Sequence, residues 1–138
     1  MFMLCSTLTT SPELPATTLA TGCYNLMFSD CVSLLSAPAL PATTLSPSCY
    51  NGMFRVCTAL TEAPELLADT LVDNCYERMF YHCEKLNSIK MMATDISAEN
   101  CLSEFAYNVA ASGTFVKNKD AAWENTGVIP SGWTVITE

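Results

Sequence analysis

Positive charge is scarce in this sequence of 138 residues. Lysine and arginine together number 6 against 14 acidic residues, so the formal net charge at pH 7 is −8. A chain this acidic lacks the positively charged surface that binds nucleic acid, and it is poorly suited to an anionic membrane surface. Charged residues make up only 14% of the chain and hydrophobic residues make up half, which argues against a disordered protein. The length suits one domain and excludes a two-domain enzyme.

The usual signals of membranes, catalysis and metals are also missing. No apolar run approaches the roughly 18–20 residues of a membrane-spanning helix, and no basic segment followed by an apolar stretch opens the chain as in a secretory signal. Histidine occurs once, at His82, and no catalytic partner stands at a recognisable spacing from it. No Cys-x-x-Cys pair or calcium-loop pattern occurs. We therefore expect a non-enzymatic chain without metal or cofactor, bound to neither nucleic acid nor membrane.

Cysteine, by contrast, is abundant and regularly spaced. Successive separations alternate between 18 and 8 residues, which defines a period of 26 residues. Met-Phe pairs, leucines and prolines recur with the same period, and four such units cover residues 1–104. A period between about 20 and 50 residues is typical of a solenoid or another repeat array. The eight cysteines are Cys5, Cys23, Cys31, Cys49, Cys57, Cys75, Cys83 and Cys101.

One unit contains a helix-like pattern followed by a strand-like stretch. In the segment 23–31 the apolar residues form a single stripe, which predicts a short helix. In the first three units the stretch that follows ends at a proline, which cannot donate to a sheet ladder, and Lys90 replaces it in the fourth. We therefore predict strands near 8–11, 34–37, 60–63 and 86–89. The predicted fold is α/β: a right-handed solenoid with short parallel strands and one short helix per 26-residue coil.

The two ends of the array differ in composition. The segment 105–138 has alternating apolar residues, turn signals and both tryptophans, which predicts a β-rich C-terminal cap. At the other end, Met1 and Phe2 fall on the Met-Phe column of the repeat. Their coil would leave apolar core uncovered, so we expect homodimers that pair through this N-terminal end.

The cysteine columns allow two interpretations. The simpler is that each cysteine is a small buried hydrophobic residue with a free thiol. Cys23 and Cys31 would lie about 12 Å apart along one helix, beyond the roughly 7 Å limit on Cα separation in a disulfide. Equivalent cysteines in adjacent coils would stand about 5 Å apart, so disulfides between coils remain an alternative.

These repeats resemble the BspA-like leucine-rich repeats of bacterial surface proteins. The resemblance is carried by Met-Phe-x-x-Cys-x-x-Leu at 53–60 and 79–86, and by Ala-Pro-x-Leu-Pro-Ala-Thr-Thr-Leu at 37–45. It covers residues 1–104 and implies a leucine-rich-repeat solenoid at the cell surface or outside the cell. It further implies adhesion through protein or glycan ligands, host-derived ones among them, and brings no catalytic residues.

Positions that vary between units mark the predicted ligand surface. Core positions keep their residue type, so variable positions on the strands are expected to be exposed and to form a recognition face. Two functions remain open, a protein- or glycan-binding module or a structural spacer within a longer array. Binding surfaces usually contain aromatic or arginine anchors, which these columns lack, and this weakens the first function. The predicted binding residues are Thr9, Leu35, Thr61, Glu62 and Glu65.

Overall fold

A computed structural model describes residues 1–125 and 127–138 of the chain. Within those residues there are three strands, β1 (Ser88–Met91), β2 (Thr114–Lys117) and β3 (Thr134–Thr137). They form one parallel sheet in the order β1-β2-β3. The described residues contain no helix, and so none that is long and apolar enough to cross a membrane.

The segments predicted to be helices are chains of tight turns. In the segment 22–31 the amide N–H of Met27 donates to the carbonyl of Tyr24, three residues back, at 3.2 Å. The next amide, that of Phe28, donates to the carbonyl of Met53 in the following coil at 2.9 Å. An α-helix would send both bonds four residues back within the segment. The backbone instead alternates between a local turn and a bond to the next coil.

Left-handed backbone at every fourth residue prevents these segments from becoming helical. In the first of them Gly22, Leu26 and Asp30 have φ of 64°, 56° and 62°. Equivalent positions in the following coils are also left-handed, including Val56 with φ of 60°. A positive φ at the third residue is typical of a type II turn, whereas a helix needs negative φ throughout. Turns repeating every four residues still bring apolar residues to one side, much as a helix of 3.6 residues per turn does.

Proline determines where the sheet forms. The strands predicted near 8–11, 34–37 and 60–63 are reduced to isolated parallel bridges, whereas the fourth, 86–89, forms as β1 two residues further on. A proline follows each of the first three, and Lys90 takes its place in the fourth. Because proline has no N–H, it interrupts the ladder that Lys90 allows to continue. The three prolines are Pro12, Pro38 and Pro64.

The predicted α/β leucine-rich-repeat solenoid with a helix in each coil is therefore wrong for this chain. A helix-free structure with one three-stranded sheet also does not support its description as a BspA-like repeat with an adhesive role. The 26-residue period instead corresponds to a stack of coils that are joined by backbone hydrogen bonds. The N–H of Tyr24, for example, donates to the carbonyl of Cys49 at 2.9 Å, and the N–H of Tyr50 donates to Cys75 at 3.1 Å.

Phenylalanine rings stacked from coil to coil form the centre of the core. The ring centroids of Phe28 and Phe54 lie 5.6 Å apart, and those of Phe54 and Phe80 lie 5.8 Å apart, with nearly parallel planes. All three side chains are completely buried, as are the neighbouring Met53 and Met79. The recurring Met-Phe pairs at 53–54 and 79–80 therefore belong to the core.

Phe105 lies at the end of two such stacks of rings, which we call aromatic ladders. A second ladder includes Tyr50 and Tyr76, whose ring centroids are 6.0 Å apart. Phe105 follows Met79 by one period, but its ring lies edge-on to Phe80 at 5.4 Å and tilted against Tyr76 at 6.1 Å. One aromatic side chain in a methionine position thus covers the last ring of both ladders.

The cysteines contribute to the same core as free thiols. All eight lie in the described part of the chain, none forms a disulfide, and six are buried. The thiol of Cys57 donates to the carbonyl of Phe28 at 3.1 Å, and that of Cys83 donates to Phe54 at 2.9 Å. Burial raises the pKa of Cys83 to about 12. The prediction of free thiols in stacked columns is confirmed, and the alternative of disulfides between coils is wrong.

The segment 105–138 extends the stack rather than leaving it. Thr114 pairs with Ser88, one period earlier, and Thr134 pairs with Thr114 after a shorter interval. The indole N–H of Trp133 donates to the carbonyl of Ala110 at 2.8 Å, which holds the last coil against the preceding one. Two of the three described strands lie here, in agreement with the predicted β-rich segment. The domain boundary at residue 104 stays a prediction.

Candidate functional site

The five residues predicted to bind a ligand are all exposed and lie in two places. Thr9 and Leu35 are adjacent, since the N–H of Leu35 donates to the carbonyl of Thr9 at 3.0 Å. Leu35, Thr61 and Glu62 line a small hollow of about 170 Å³ in which no lining residue is aromatic or cationic. Glu65 lies outside that hollow, with its carboxylate 3.5 Å from a lysine amine. The sheet face thus offers a shallow surface without strong anchors.

A second exposed surface has a different composition. It lies on the outer side of the turn segments, and we call it the turn-face patch. It contains both arginines of the chain, the only histidine and two of the five tyrosines. Tyr107 is 57% exposed, and the other members are exposed or half-buried. The residues of the turn-face patch are Arg55, Arg78, Tyr81, His82 and Tyr107.

The stacking of coils brings the patch residues together. Arg55, Tyr81 and Tyr107 hold the same repeat position in three successive coils, so each lies over the next. The Arg55 guanidinium is 5.9 Å from the centroid of the Tyr81 ring, and the Tyr81 and Tyr107 rings stack at 5.4 Å. His82 is tilted against both rings, at 4.4 Å from Tyr81 and 5.7 Å from Tyr107. The cation–π contact and the ring stack restrain side chains that would otherwise move freely.

Polar contacts hold the edge of the patch in place. The Nε of Arg78 donates to the carboxylate of Glu104 at 2.5 Å, one coil further on, and this bond raises the pKa of the Arg78 guanidinium. The amide nitrogen of Asn51 donates to the carboxylate of Glu77 at 2.9 Å. The His82 Nδ1 lies 3.1 Å from the amide nitrogen of Asn108. Each contact spans one period, so the repeat positions these polar groups as it positions the rings.

A groove of about 460 Å³ opens beside the patch. Gly52 is one of its lining residues and has φ of 59°. A Cβ at Gly52 would come within 2.5 Å of the Leu26 side chain, which lies across this position. Polar side chains dominate the remaining walls, and two patch arginines reach into it. The lining residues are Asn25, Leu26, Asn51, Gly52, Arg55, Arg78, Tyr81 and Glu104.

Sequence reasoning missed this patch although a signal was present. The repeat position of Arg55, Tyr81 and Tyr107 is occupied by Met3 and Ser29 in the two preceding coils, so it varies as strongly as the strand columns do. The prediction of a helix with one buried stripe directed the search for variable columns to the strands alone. A survey of variable positions over the whole period would have found it.

No second chemical centre occurs among the described residues. In the part of the chain that the structure describes, no group of three or more His, Cys, Asp or Glu side chains could hold a metal ion. A further groove of about 560 Å³ lies between the segment 104–111 and part of 125–131. Among its described lining residues Glu104 is the one charged side chain, and Arg78 already pairs with it.

In comparison with known proteins, the chain matches no protein-family model, no curated protein and no solved structure.

Proposed function

We propose that this chain is a non-enzymatic binding module that holds a protein or glycan ligand on the turn-face patch. The observation that carries the proposal is the gathering of both arginines, two tyrosines and the only histidine on one exposed surface of an acidic chain. Tyrosine and arginine are enriched among the residues that dominate binding energies. The binding surface that we propose is therefore the turn face rather than the sheet face.

Restraint of the patch favours binding further. A ligand that immobilises a long side chain costs roughly 0.5–1.5 kcal/mol in lost conformational freedom. Arg55 is held against Tyr81, and Tyr81 against Tyr107, before any ligand arrives. Folding of the stack has thus already restricted these side chains, so a ligand loses less binding free energy by immobilising them.

We also propose that the chain is located outside the cell or at its surface. Six of the eight thiols are buried, and burial raises the pKa of Cys75 to about 12. Because the thiolate is the reactive form, such thiols resist oxidation even where the surroundings are oxidising. The homodimer expected through the N-terminal end stays a prediction; Met1 and Leu4 are exposed there.

The experiment compares two double variants with the unchanged chain on immobilised panels of oligosaccharides and of purified extracellular proteins. Arg55→Ala/Tyr107→Ala removes two anchors of the turn face, and Thr61→Ala/Glu62→Ala alters the sheet face. We expect a ligand that the unchanged chain binds to be lost with the first variant and kept with the second. Circular dichroism and thermal unfolding of both variants show whether the stack is intact.

A structural spacer is the alternative function. The unbroken ladder of Phe28, Phe54 and Phe80 favours it, because a stack joined from coil to coil keeps its length under load. A spacer has no ligand of its own, so it predicts no binding to either panel. Loss of binding with the sheet-face variant alone would contradict the turn-face proposal.

A further inference from the structure

We propose that the groove beside the turn-face patch binds an acidic saccharide, that is, a sugar that carries a carboxylate. This inference rests on the proposed function and names the ligand class for the same surface. Three features of the groove support it: an arginine without a charged partner, a mixed set of free polar groups, and a hollow of suitable size.

Arg55 provides the site for the carboxylate. Within the described residues no carboxylate pairs with Arg55, whereas Arg78 is paired with Glu104. The Arg55 guanidinium lies 5.9 Å from the centroid of the Tyr81 ring and makes no side-chain hydrogen bond with the described residues, so its N–H groups are left for a ligand. A guanidinium binds a carboxylate through two parallel hydrogen bonds, which a single amine cannot reproduce.

Polar groups on the opposite walls suit the hydroxyls of a sugar. Asn51 donates its amide nitrogen to Glu77, which leaves its carbonyl oxygen as an acceptor. Glu104 accepts the bond from Arg78 at Oε2, so Oε1 can accept another. Asn25 makes no side-chain hydrogen bond with the described residues, and both ends of its amide are available. The walls of the groove thus offer both donors and acceptors of hydrogen bonds. This mixture suits sugar hydroxyls, because each hydroxyl can both donate and accept.

The size and lining of the groove distinguish a sugar from a peptide. The volume of about 460 Å³ lies within the range of roughly 300–1,000 Å³ that small-molecule sites occupy. Peptide anchors usually fill an apolar pocket, but Leu26 is the only aliphatic side chain of the lining residues.

The test measures binding of tetragalacturonate and of its methyl ester by calorimetric titration. The two probes have the same sugar rings and hydroxyls, and the ester lacks the negative charge. We expect the acid to bind at least tenfold more tightly than the ester. Arg55→Gln should weaken the acid at least tenfold with little effect on the ester, and Arg55→Lys should restore part of the loss because it returns the charge without the two-bond geometry. Lys119→Gln, which removes a positive charge from an exposed lysine outside the groove, should change neither affinity.

Several results would overturn the inference. Equal binding of acid and ester, or an unchanged affinity in Arg55→Gln, would show that no carboxylate binds at Arg55. Binding of hexaglutamate as tightly as tetragalacturonate would assign the groove to acidic peptides. Absence of binding to either sugar would refute the acidic saccharide as the ligand. The proposed function would then be tested separately on the panels, where another ligand that is lost with Arg55→Ala/Tyr107→Ala would still support it.

Discussion

Replacing Gly22 by alanine tests the left-handed backbone at the start of the turn segment 22–31. Gly22 has φ of 64°, and an added Cβ would meet no atom within 4 Å, so the substitution changes the backbone preference and no packing. A left-handed conformation costs a residue with a Cβ about 1–2 kcal/mol. Removing glycine lowers the entropy of the unfolded chain, which offsets roughly 0.5–1 kcal/mol of that cost. The expected result is a loss of about 1 kcal/mol in the free energy of unfolding.

A helix that included Gly22 in its interior would give the opposite sign. In a helix interior alanine is more stable than glycine by about 0.5–1 kcal/mol. Urea unfolding followed by circular dichroism measures the difference, and a loss of about 1 kcal/mol lowers the melting temperature by about 4 °C in a chain of this size. Gly22→Asn is the matched variant, because Asn74 and Asn100 hold the same repeat position with φ of 57° and 51°. It should be nearly neutral, and a Gly22→Ala chain more stable than the unchanged one would refute the turn structure.

Three further predictions concern the core. A thiol reagent should reach the exposed Cys23 first and the six buried thiols only on unfolding. Burial favours the protonated thiol and raises the pKa of Cys75 from 9.0 to about 12. The free energy of unfolding should therefore be highest below about pH 8.5, and it should fall as the pH rises above that value, because the unfolded chain then loses the thiol proton that the folded chain keeps. Phe105→Ala should cost about 3–5 kcal/mol because a fully buried ring is removed, whereas Tyr107→Ala, at a side chain 57% exposed, should cost less than about 1 kcal/mol.

Each of these predictions has a result that contradicts it. Rapid reaction of most thiols in the native chain would mean that the columns are open to solvent. A free energy of unfolding that rises between pH 8 and pH 10 would contradict the direction of the thiol pKa shifts. Equal losses for Phe105→Ala and Tyr107→Ala in urea unfolding would show that Phe105 does not close the two ladders.

The register of the coils and the content of the core were predictable from the sequence. A strict 26-residue period allows equivalent residues to stack only if each coil repeats the path of the last, so Phe28, Phe54 and Phe80 had to lie in one column. The same argument placed the cysteines in columns, and the separation of eight residues between Cys23 and Cys31 argued against a disulfide within one segment. Periodicity identifies which residues share a column, because stacking copies each position onto the next.

The binding surface could be predicted only in part. Variable positions between coils indicate exposure, and this reasoning selected Thr61 and Glu62, which are indeed exposed. It did not extend to Arg55, Tyr81 and Tyr107, whose column falls in a segment assigned to a helix with one buried stripe. The contact of a guanidinium with one ring and of that ring with another depends on coil spacing and side-chain direction, which a single sequence does not contain.

By itself the sequence determined the 26-residue period, the columns of the core and the absence of a cation-rich surface. Only the tertiary structure decided whether each turn segment became a helix, because apolar residues at intervals of four satisfy both a helix of 3.6 residues per turn and a chain of four-residue turns. Bonds from Phe28 to Met53 and from Tyr24 to Cys49 select the turns. Alternate amides bond to the next coil in the turn structure, whereas a helix would keep them all within its own segment. The stack thus stabilises left-handed residues such as Val56 that no local preference would have predicted.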